Sequence, residues 1–457
     1  MDAEVVIASS PTDAGISCWD LHTGAEHIRF KSCSSTAHGL ASVAGRFLAS
    51  SQLRDPKSSS SGSILYWSWN KPQVEVRSFP AEPITPLVSN SQGTYIAGGG
   101  VSGDVYFWEV ATGKLLKKWH AHLRAVTCLV FNDDQSLLIS GAEDGSIRVW
   151  SLFLIFDDAR REDARHLFEY NFQEHSSRRV TDIKTGYGGC NAIIVSASED
   201  RTCKVWSLSS GKLLRTIVFP SVIDAISLDP GEHVFYAGGR DGKIYIAGLS
   251  APATSNGDYG KHIIGTLSEQ SKPITCLASS ADGFLLVSGS EDGMIRVLDT
   301  RTRNITRIFR HTKGPVNNVV VIKQTQYMNP RTSANSLASP SPRRHGLPLP
   351  PPLEKFGSSP DENAYVKAFI NAGTTPSHIL NSPSYVSVRT MEDQIKELQQ
   401  QGSSAAAEVN VERLKSEQLR SVQMIQQWKN MYGNLHQFCV SEILDVSHTE
   451  IANEQNL

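Results

Sequence analysis

The chain lacks an excess of charge of either sign. Its 44 lysines and arginines nearly balance its 46 aspartates and glutamates over 457 residues, for a formal net charge of -2. Nucleic-acid-binding domains normally carry a clear basic surplus, and proteins that bind anionic membranes carry a basic face. The balance therefore argues against strong direct binding to either, and we expect any RNA contact to be mostly indirect, through partner proteins.

Long apolar runs are also missing. No stretch approaches the roughly 20 apolar residues that a membrane helix needs. The first ten residues, MDAEVVIASS, open with an acidic residue and pass directly into a strand-like pattern, which predicts neither a secretory nor a transit signal. We therefore expect a soluble intracellular protein without a membrane partner.

The sequence is poor in the motifs that carry chemistry. Its seven cysteines are scattered and include no C-x-x-C pair, so neither a disulfide framework nor a zinc site is predicted. They are Cys18, Cys33, Cys128, Cys190, Cys203, Cys276 and Cys439. No nucleophile elbow, phosphate-binding loop or metal-ligand cluster is present either. We expect no cofactor, no metal and no catalytic residue.

Internal repetition is the main positive feature. A strand-like segment such as SIRVWS or TCKVWS recurs seven times, at spacings of about 41 to 56 residues, and short Asp-Gly turns precede several of the copies. The aligned residues are Trp19, Trp67, Trp108, Trp150, Trp206, Ala247 and Leu298. This period is typical of WD-repeat blades. The sequence therefore predicts an all-β, seven-bladed WD-repeat β-propeller over residues 1–323.

The two ends of the repeat region are incomplete in a complementary way. The first unit lacks an innermost strand, whereas residues 314–323, GPVNNVVVIK, form a strand without a unit of its own. Pairing of this strand with the N-terminal strand that contains Val5 would close the ring and remove an exposed sheet edge. We predict that the propeller is closed in this way by its N- and C-terminal strands.

Three units share a Ser, an Asp four residues later and a Trp six residues after that, with a His upstream. The sets are His122, Ser140, Asp144 and Trp150; His175, Ser196, Asp200 and Trp206; and His311 with Ser9, Asp13 and Trp19. Ser, His and Asp also form acyl-transfer triads. An active site is needed only once, however, so the repetition predicts structural networks that hold the blades. The other four units lack part of the set, and we expect them to depend on apolar packing alone.

Three insertions interrupt the repeats, at 54–63, 151–172 and 250–262. The first and third are polar loops. The second combines apolar and charged residues, which is compatible with a lengthened hairpin, with a short helix that leans on the propeller, or with a partner-binding segment.

Residues 324–390 are rich in Pro and Ser and poor in apolar residues, which predicts a disordered linker with one short docking segment at 363–370. Ser339 and Ser341 precede prolines and are candidate phosphorylation sites.

The remaining sequence, 391–445, has the pattern of a long helix before a disordered end at 446–457. Its apolar stripe includes Leu414, Ile425, Trp428, Tyr432 and Leu435. An isolated helix of this kind needs a partner surface. The pattern does not distinguish packing on the propeller from a homodimeric coiled coil or a helix of another protein.

The combination of seven units, the linker SPSPRRHGLPLPPPLEKF and the helix around SEQLRSVQMIQQWKNMYGNL resembles one WD-repeat subfamily. This is the WD-repeat subunit of the eukaryotic complex that matures the large ribosomal subunit (60S) precursor. The resemblance implies a non-enzymatic scaffold that assists precursor rRNA processing in the nucleolus and nucleoplasm. It implies a Rix-type (in animals, PELP-type) helical-repeat scaffold, a Midasin-type AAA ATPase and pre-60S particles as partners, and dimerisation through the C-terminal helix.

The sequence leaves two alternative functions open. Residues 286–301, LVSGSEDGMIRVLDTR, approach the W-D-x-R box of substrate receptors of cullin-type ubiquitin ligases, although Leu298 stands where the Trp belongs. A signalling or trafficking scaffold of another kind is the third hypothesis.

Overall fold

Seven four-stranded antiparallel sheets, arranged as the blades of a β-propeller, account for almost all of the secondary structure. The computed structural model describes residues 3–12, 15–31, 33–53, 62–156, 168–172, 175, 178–249, 262–267, 270–311, 314–325, 328 and 349–356. Within these ranges there is one short α-helix, and no helix is long and apolar enough to cross a membrane. The predicted all-β, seven-bladed fold is confirmed.

The strands of the first half of the chain are, in order, β1 Glu4–Ser9, β2 Ile16–Asp20, β3 Glu26–Phe30, β4 Ser35–Val43, β5 Phe47–Gln52, β6 Ser63–Ser68, β7 Val76–Ser78, β8 Ile84–Ser89, β9 Tyr95–Gly100, β10 Asp104–Glu109, β11 Leu115–His120, β12 Val126–Phe131, β13 Leu137–Ala142 and β14 Ile147–Ser151. The helix α1, Leu152–Phe156, follows. The remaining strands are β15 Phe168–Phe172, β16 Val180–Thr185, β17 Ile193–Ser198, β18 Thr202–Ser207, β19 Leu213–Val218, β20 Ile223–Leu228, β21 Val234–Gly239, β22 Ile244–Gly248, β23 Ile263–Leu267, β24 Ile274–Ser279, β25 Leu285–Ser290, β26 Met294–Asp299, β27 Ile305–Arg310 and β28 Asn318–Lys323.

Blade 1 consists of β28, β1, β2 and β3 from the axis outward, and blades 2 to 7 each take the next four strands of the chain. Because successive strands run in opposite directions, their connections alternate between the two faces of the ring. The upper face of the ring carries the turns between second and third strands and the connections from one blade to the next. The lower face carries the other two turns of blades 2 to 7 and, in blade 1, one turn and the paired ends of β1 and β28.

Blade packing explains the small residues of the second strands. Strand β9, YIAGGG, is buried along its whole length, since blades 2 and 4 cover both of its sides. A Cβ atom at Gly99 would lie 2.6 Å from Val126 of blade 4, and one at Gly98 would lie 2.7 Å from the Ile84 side chain of the same blade. Apolar clusters fill the spaces between adjacent blades, as where Phe107 of blade 3 packs with Trp150 of blade 4. The core is therefore a circle of interfaces rather than one central mass.

The ring closes between β1 and β28. These strands pair antiparallel over six residues each, from Glu4 opposite Lys323 to Ser9 opposite Asn318. Val6 of β1 and Val319 of β28 are both buried in the cluster that blade 1 shares with blade 7. The predicted closure by the two ends of the repeat region is confirmed.

The insertion at 151–172 begins as the helix α1 and ends as β15, the outer strand of blade 4. Leu152 and Ile155 of α1 are buried between blades 3 and 4. The two structures left open by the sequence are both present: the short helix against the propeller at 152–156, and a lengthened hairpin, since β14 and β15 pair antiparallel. Residues 157–167 lie outside the described part of the chain.

The structure departs from the predicted linker at residues 349–356. This segment, LPPPLEKF, packs against the propeller, and the Leu353 side chain is buried in the cluster between blades 2 and 3. The docking segment predicted at 363–370, the helix at 391–445 with its apolar stripe, the end at 446–457, and Ser339 and Ser341 lie outside the described residues. The polar insertions lie almost wholly outside them as well.

Candidate interaction surface

A hydrogen-bonded network ties the strands of blade 4 together beneath the upper face. Ser140 Oγ accepts a hydrogen bond from Trp150 Nε1 at 2.8 Å and lies 2.6 Å from His122 Nε2. The other ring nitrogen of His122 lies 2.7 Å from Ser146 Oγ. Ser146 in turn donates its hydroxyl to Asp144 Oδ1 at 2.6 Å. The network thus joins the blade-to-blade connection, the second strand, the turn and the third strand.

Blade 5 repeats the arrangement with one exchange. Trp206 Nε1 donates to Ser196 Oγ at 3.0 Å, and His175 Nε2 lies 2.8 Å from the same oxygen. His175 Nδ1 lies 3.2 Å from Asp200 Oδ2 directly. Thr202 replaces the serine of the turn and donates to Asp200 Oδ1 at 2.6 Å. Burial raises the pKa of Asp200, but hydrogen bonds from His175 and Thr202 outweigh this and hold the pKa below its usual value.

These networks contain triad residue types without an accessible nucleophile. His122 and Ser140 have no exposed surface, and His175 and Ser196 are buried to the same degree. In addition, each serine oxygen already accepts the indole N–H of its tryptophan. A substrate carbonyl therefore has no path to either hydroxyl, and the geometry suits blade stabilisation rather than acyl transfer.

Blade 1 differs from the prediction at Ser9. In blade 4 Leu138 lies opposite Trp150, and Ser140 follows two residues after Leu138. In blade 1 Val6 faces Trp19, so the same position is Ala8. The turn between the second and third strands of blade 1 is one residue longer than that of blade 4. Ser9 therefore has the same sequence spacing to its tryptophan as Ser140, but it occupies a different position in the strand pairing.

The two polar residues assigned to blade 1 therefore have other partners. Ser9 Oγ accepts a hydrogen bond from Asn318 Nδ2 at 3.0 Å, across the closure. His311 Nδ1 lies 3.0 Å from Ser17 Oγ, and its ring meets Trp19 edge-on at 6.0 Å between centroids. Asp13 lies outside the described residues.

Blade 7 contains a network that the sequence interpretation missed. Gln270 occupies the histidine position and donates from Nε2 to Ser288 Oγ at 2.6 Å. Arg296 donates to Gln270 Oε1 at 3.1 Å and to Asp292 Oδ2 at 2.7 Å. The spacing of four residues from Ser288 to Asp292 equals that of blades 4 and 5, and this was the available signal.

Blades 3 and 6 also have polar contacts, so the expectation that they depend on apolar packing alone is wrong. In blade 3 Glu82 Oε1 accepts hydrogen bonds from Ser102 at 2.7 Å and from Tyr106 at 2.9 Å. In blade 6 Arg240 donates to Asp224 at 2.7 Å and to Glu199 of blade 5 at 3.0 Å.

Side-chain hydrogen bonds also link the innermost strands around the axis. Threonines of blades 2, 3, 4, 5 and 7 donate to a backbone carbonyl of the next blade, and an asparagine of blade 1 does the same across the closure. The pairs are Thr36 with Thr85 at 2.6 Å, Thr85 with Val126, Thr127 with Val180 and Thr181 with Ile223 at 2.7 Å each, Thr275 with Val316, and Asn317 with Ser35 at 2.6 Å. In blade 6 the equivalent residue is Asp224, an acceptor, which interrupts the circle.

The axial channel is crossed by a side chain. Strand β4 bulges between Ser35 and Leu40, and His38 stands in this bulge with φ 54. Its Nε2 lies 2.9 Å from the carbonyl oxygen of Thr181 in blade 5. Burial lowers the pKa of His38, and the Asp182 carboxylate 3.8 Å from Nδ1 partly opposes this. Blades 2 and 5 are thereby joined across the centre of the ring.

Each face of the ring has a candidate contact region. The lower mouth of the channel forms a cavity of about 360 Å³, lined in part by Lys184, Tyr187 and Asp229. On the upper face, Phe79 and Leu123 belong to the connections that flank blade 3, and they are 48% and 80% exposed. Coverage of these two side chains by a partner protein would remove apolar surface from water. We regard the upper face around blade 3 and the lower mouth as candidate docking surfaces.

The cysteines and acidic residues were candidates for a metal site. Among the described residues no group of three or more His, Cys, Asp or Glu side chains is placed to hold a metal ion. Cys18, Cys33, Cys128, Cys203 and Cys276 are buried, whereas Cys190 is exposed. Burial raises the pKa of Cys128 to about 12. The buried cysteines therefore pack as small apolar residues.

We expect acid to destabilise the propeller through its buried histidines. Burial, assisted by the nearby Arg29 guanidinium, lowers the pKa of His311 from 6.5 to about 4, and burial lowers the pKa of His122 in the same direction. Between pH 6.5 and 4 these histidines bind protons in the unfolded chain and not in the folded chain. The free energy of unfolding is therefore highest above pH 6.5 and declines as the pH falls toward 4. Each such histidine should cost about 1 kcal/mol at pH 5.5.

Denaturant unfolding at pH 7.5 and 5.5 measures this loss. The variant His311→Gln cannot titrate and should lose less stability between the two pH values than the unmodified chain. His120→Gln, at a side chain that is 61% exposed, is the matched control and should leave the acid loss unchanged. An equal acid loss in all three proteins would rule out the buried histidine as its source.

Known proteins resemble this chain over most of its length. The family model "WD domain, G-beta repeat" matches residues 113–151, 167–207 and 261–299, which contain the third strands of blades 4, 5 and 7. Protein ROOT INITIATION DEFECTIVE 3 of Arabidopsis thaliana is 53% identical over 442 residues, covering 96% of this chain and 98% of that protein. WD repeat-containing protein 18 of Homo sapiens is 30% identical over 427 residues, covering 86% and 94%. Pre-rRNA-processing protein IPI3 of Yarrowia lipolytica is 30% identical over 344 residues, covering 70% and 78%.

Proposed function

Because the chain belongs to the WD-repeat family that includes ROOT INITIATION DEFECTIVE 3, WD repeat-containing protein 18 and IPI3, we propose that it is a scaffold of ribosome biogenesis. Its role is to assist processing of the large-subunit precursor rRNA and maturation of pre-60S particles within a multi-protein complex. The observation that carries this proposal is the extended similarity to a protein named for pre-rRNA processing, over 70% of the chain.

The geometry supports a non-enzymatic role. The repeated Ser–His–Asp groups are buried and serve as ties within blades, while apolar side chains such as Leu123 are exposed at the faces. A rigid ring with two distinct faces suits the simultaneous contact of several proteins. We propose that the networks built on His122 and His175 hold the blades in register and take no part in chemistry.

The proposed partners are a Rix-type or PELP-type helical-repeat scaffold, a Midasin-type AAA ATPase and pre-60S particles. The proposed location is the nucleus, in the nucleolus and nucleoplasm. The near-neutral charge supports a contact with RNA that is mostly indirect, because counterion release from phosphates requires many cationic side chains.

Depletion of the protein is expected to accumulate precursors of the large-subunit rRNA. The measurement is a northern blot with probes on either side of the internal transcribed spacer, with the small-subunit precursors as the internal control. Re-expression of the unmodified chain should restore the normal pattern. Unchanged precursor levels after full depletion would contradict the proposal.

A purification from the same cells separates the alternative functions. The scaffold proposal expects pre-60S proteins to co-purify with the chain. A cullin-type receptor would retain a ligase adaptor instead, through residues 286–301, where the buried Leu298 replaces the tryptophan of the box. Recovery of such an adaptor without pre-60S proteins would favour the alternative.

We propose that residues 391–445 form a helix that mediates homodimerisation of the chain. The full chain should then have twice its monomer mass in multi-angle light scattering, whereas a chain that ends at residue 385 should be a monomer. The double change Trp428→Glu and Leu435→Glu places charges on the apolar stripe and should give the same result as the truncation. A monomeric full chain would contradict the proposal.

A further inference from the structure

Residues 349–356 lie on the propeller like a bound peptide. The segment contains three consecutive prolines, at 350–352, which favour an extended backbone. It is held at the outer strands of blades 2 and 3 and is far in sequence from both. Leu353 N donates to Ser78 Oγ of β7 at 2.9 Å, and Glu354 N donates to the Gly113 carbonyl of blade 3 at 2.8 Å.

One side chain of the segment enters the core. Leu353 is only 4% exposed and belongs to the cluster that contains Tyr66 of blade 2 and Trp108 of blade 3. Val76 and Leu115, from the outer strands of the same blades, pack against this cluster. Without the segment these apolar side chains would line an open groove. The groove thus has a pocket of the size and chemistry of one leucine.

Trp108 forms a hydrogen bond with the backbone of the segment. In blades 4 and 5 the indole N–H donates to a serine of the same blade. In blade 3 that position is Gly98, and Trp108 Nε1 donates instead to the Glu354 carbonyl at 2.9 Å. The Glu354 carboxylate also accepts a hydrogen bond from Leu115 N at 3.4 Å. The tryptophan of blade 3 therefore depends on a peptide carbonyl from outside the blade for its hydrogen bond.

The turn of blade 3 is shaped to the same peptide. Gly113 has φ +72, and a Cβ atom added there would meet the Pro352 carbonyl oxygen at 2.4 Å. Glycines with positive φ also occur in the equivalent turns of blades 1 and 5, at Gly24 and Gly211. In blade 3 the glycine also provides the space that lets the proline backbone approach.

We propose that the groove between blades 2 and 3, formed by Ser78, Trp108, Gly113 and Leu115, is a recognition site for extended peptides in which prolines precede a Leu-Glu pair. Residues 349–356 occupy it in cis. The site takes the same chemistry from another chain whenever that peptide outcompetes the cis segment. Burial of the leucine and the contact of the glutamate carboxylate with Leu115 N provide the specificity. The backbone hydrogen bonds to Ser78, Gly113 and Trp108 add affinity, and the prolines reduce the entropy cost of binding.

A labelled peptide with the sequence of residues 347–357 tests the site in trans. The full chain carrying Leu353→Asp should release its own segment, because the change places a charge in an apolar pocket and alters no strand. We expect this chain to bind the peptide at least tenfold more tightly than the unmodified chain, whose site is filled at a high effective concentration. The peptide with the same Leu-to-Asp change should not bind.

Trp108 provides the residue-level test. Added to Leu353→Asp, the change Trp108→Phe removes the indole donor and should weaken peptide binding by about tenfold, the value of one good hydrogen bond. The matched control, Trp206→Phe in the same background, removes an equivalent donor from blade 5 and should leave binding unchanged.

The inference fails if the peptide does not bind the Leu353→Asp chain, if it binds the unmodified chain equally well, or if Trp206→Phe weakens it as much as Trp108→Phe. Should Leu353→Asp not fold, hydrogen exchange of the unmodified chain replaces the first comparison. Saturating peptide should then speed exchange at the amides of Leu353 and Glu354 in cis, and unchanged exchange would overturn the inference.

Discussion

A chain that ends after Asn317 is expected to lose its cooperative unfolding transition. The truncation removes β28, the innermost strand of blade 1, and leaves β1 as an open edge. Val6 and Ile7 of β1 have no exposed surface in the intact ring and would become accessible to water. The loss should match the whole free energy of unfolding, about 5–15 kcal/mol for a domain. Without β28 the ring is open, and blade 1 cannot keep its full contacts with its neighbours, blades 2 and 7.

Circular dichroism melts and gel filtration of the purified proteins measure this effect. The control is a chain that ends at residue 356, which retains β28 and the docked segment and should melt cooperatively near the temperature of the full chain. A cooperative melt of the chain that ends at residue 317, at an unchanged temperature, would show that closure by β28 is dispensable.

The second large effect is expected for His175→Ala, which should destabilise the propeller by about 2–4 kcal/mol. His175 is 1% exposed and joins Ser196, Asp200 and Thr202 through its two ring nitrogens. Removal of the ring leaves a cavity beside Trp206 and deprives the Asp200 carboxylate of a buried partner. Loss of one partner from a buried polar network costs more than the net value of the bond itself.

Urea unfolding of the variant measures the change in stability. His120→Ala is the control, since that side chain is 61% exposed, pairs with Asp104 at the surface and should change stability by less than about 1 kcal/mol. The double variant His175→Ala with Ser196→Ala should lose less than the sum of the single losses, because the two side chains share a bond. Additive losses would indicate independent roles.

Repetition made the fold predictable from the sequence. Seven copies of one strand pattern determine the number of blades, and the missing strand of the first unit is matched by the surplus one at 314–323. Ser9 shows the limit of spacing as a guide. A turn with one additional residue shifts the register by one, and a shift of one residue turns a strand side chain to the opposite face.

The parts that the sequence did not reveal depend on contacts between distant residues. Gln270 replaces a histidine of different shape, and its role is visible only when Ser288 is placed 2.6 Å away. His38 lies in a bulge of β4, and the carbonyl oxygen that it contacts, that of Thr181, is 143 residues later in the chain. The segment at 349–356 has the composition of a linker, and it is ordered by a groove rather than by its own propensity.

The contact of His38 with Thr181 affects what can pass through the axial channel. Blades 2 and 5 stand three positions apart, the largest separation that seven blades allow, so the side chain acts as a crossbar. An extended polypeptide cannot thread from one side to the other without breaking this link. Ligands of the upper and lower faces must therefore approach from opposite sides of the ring.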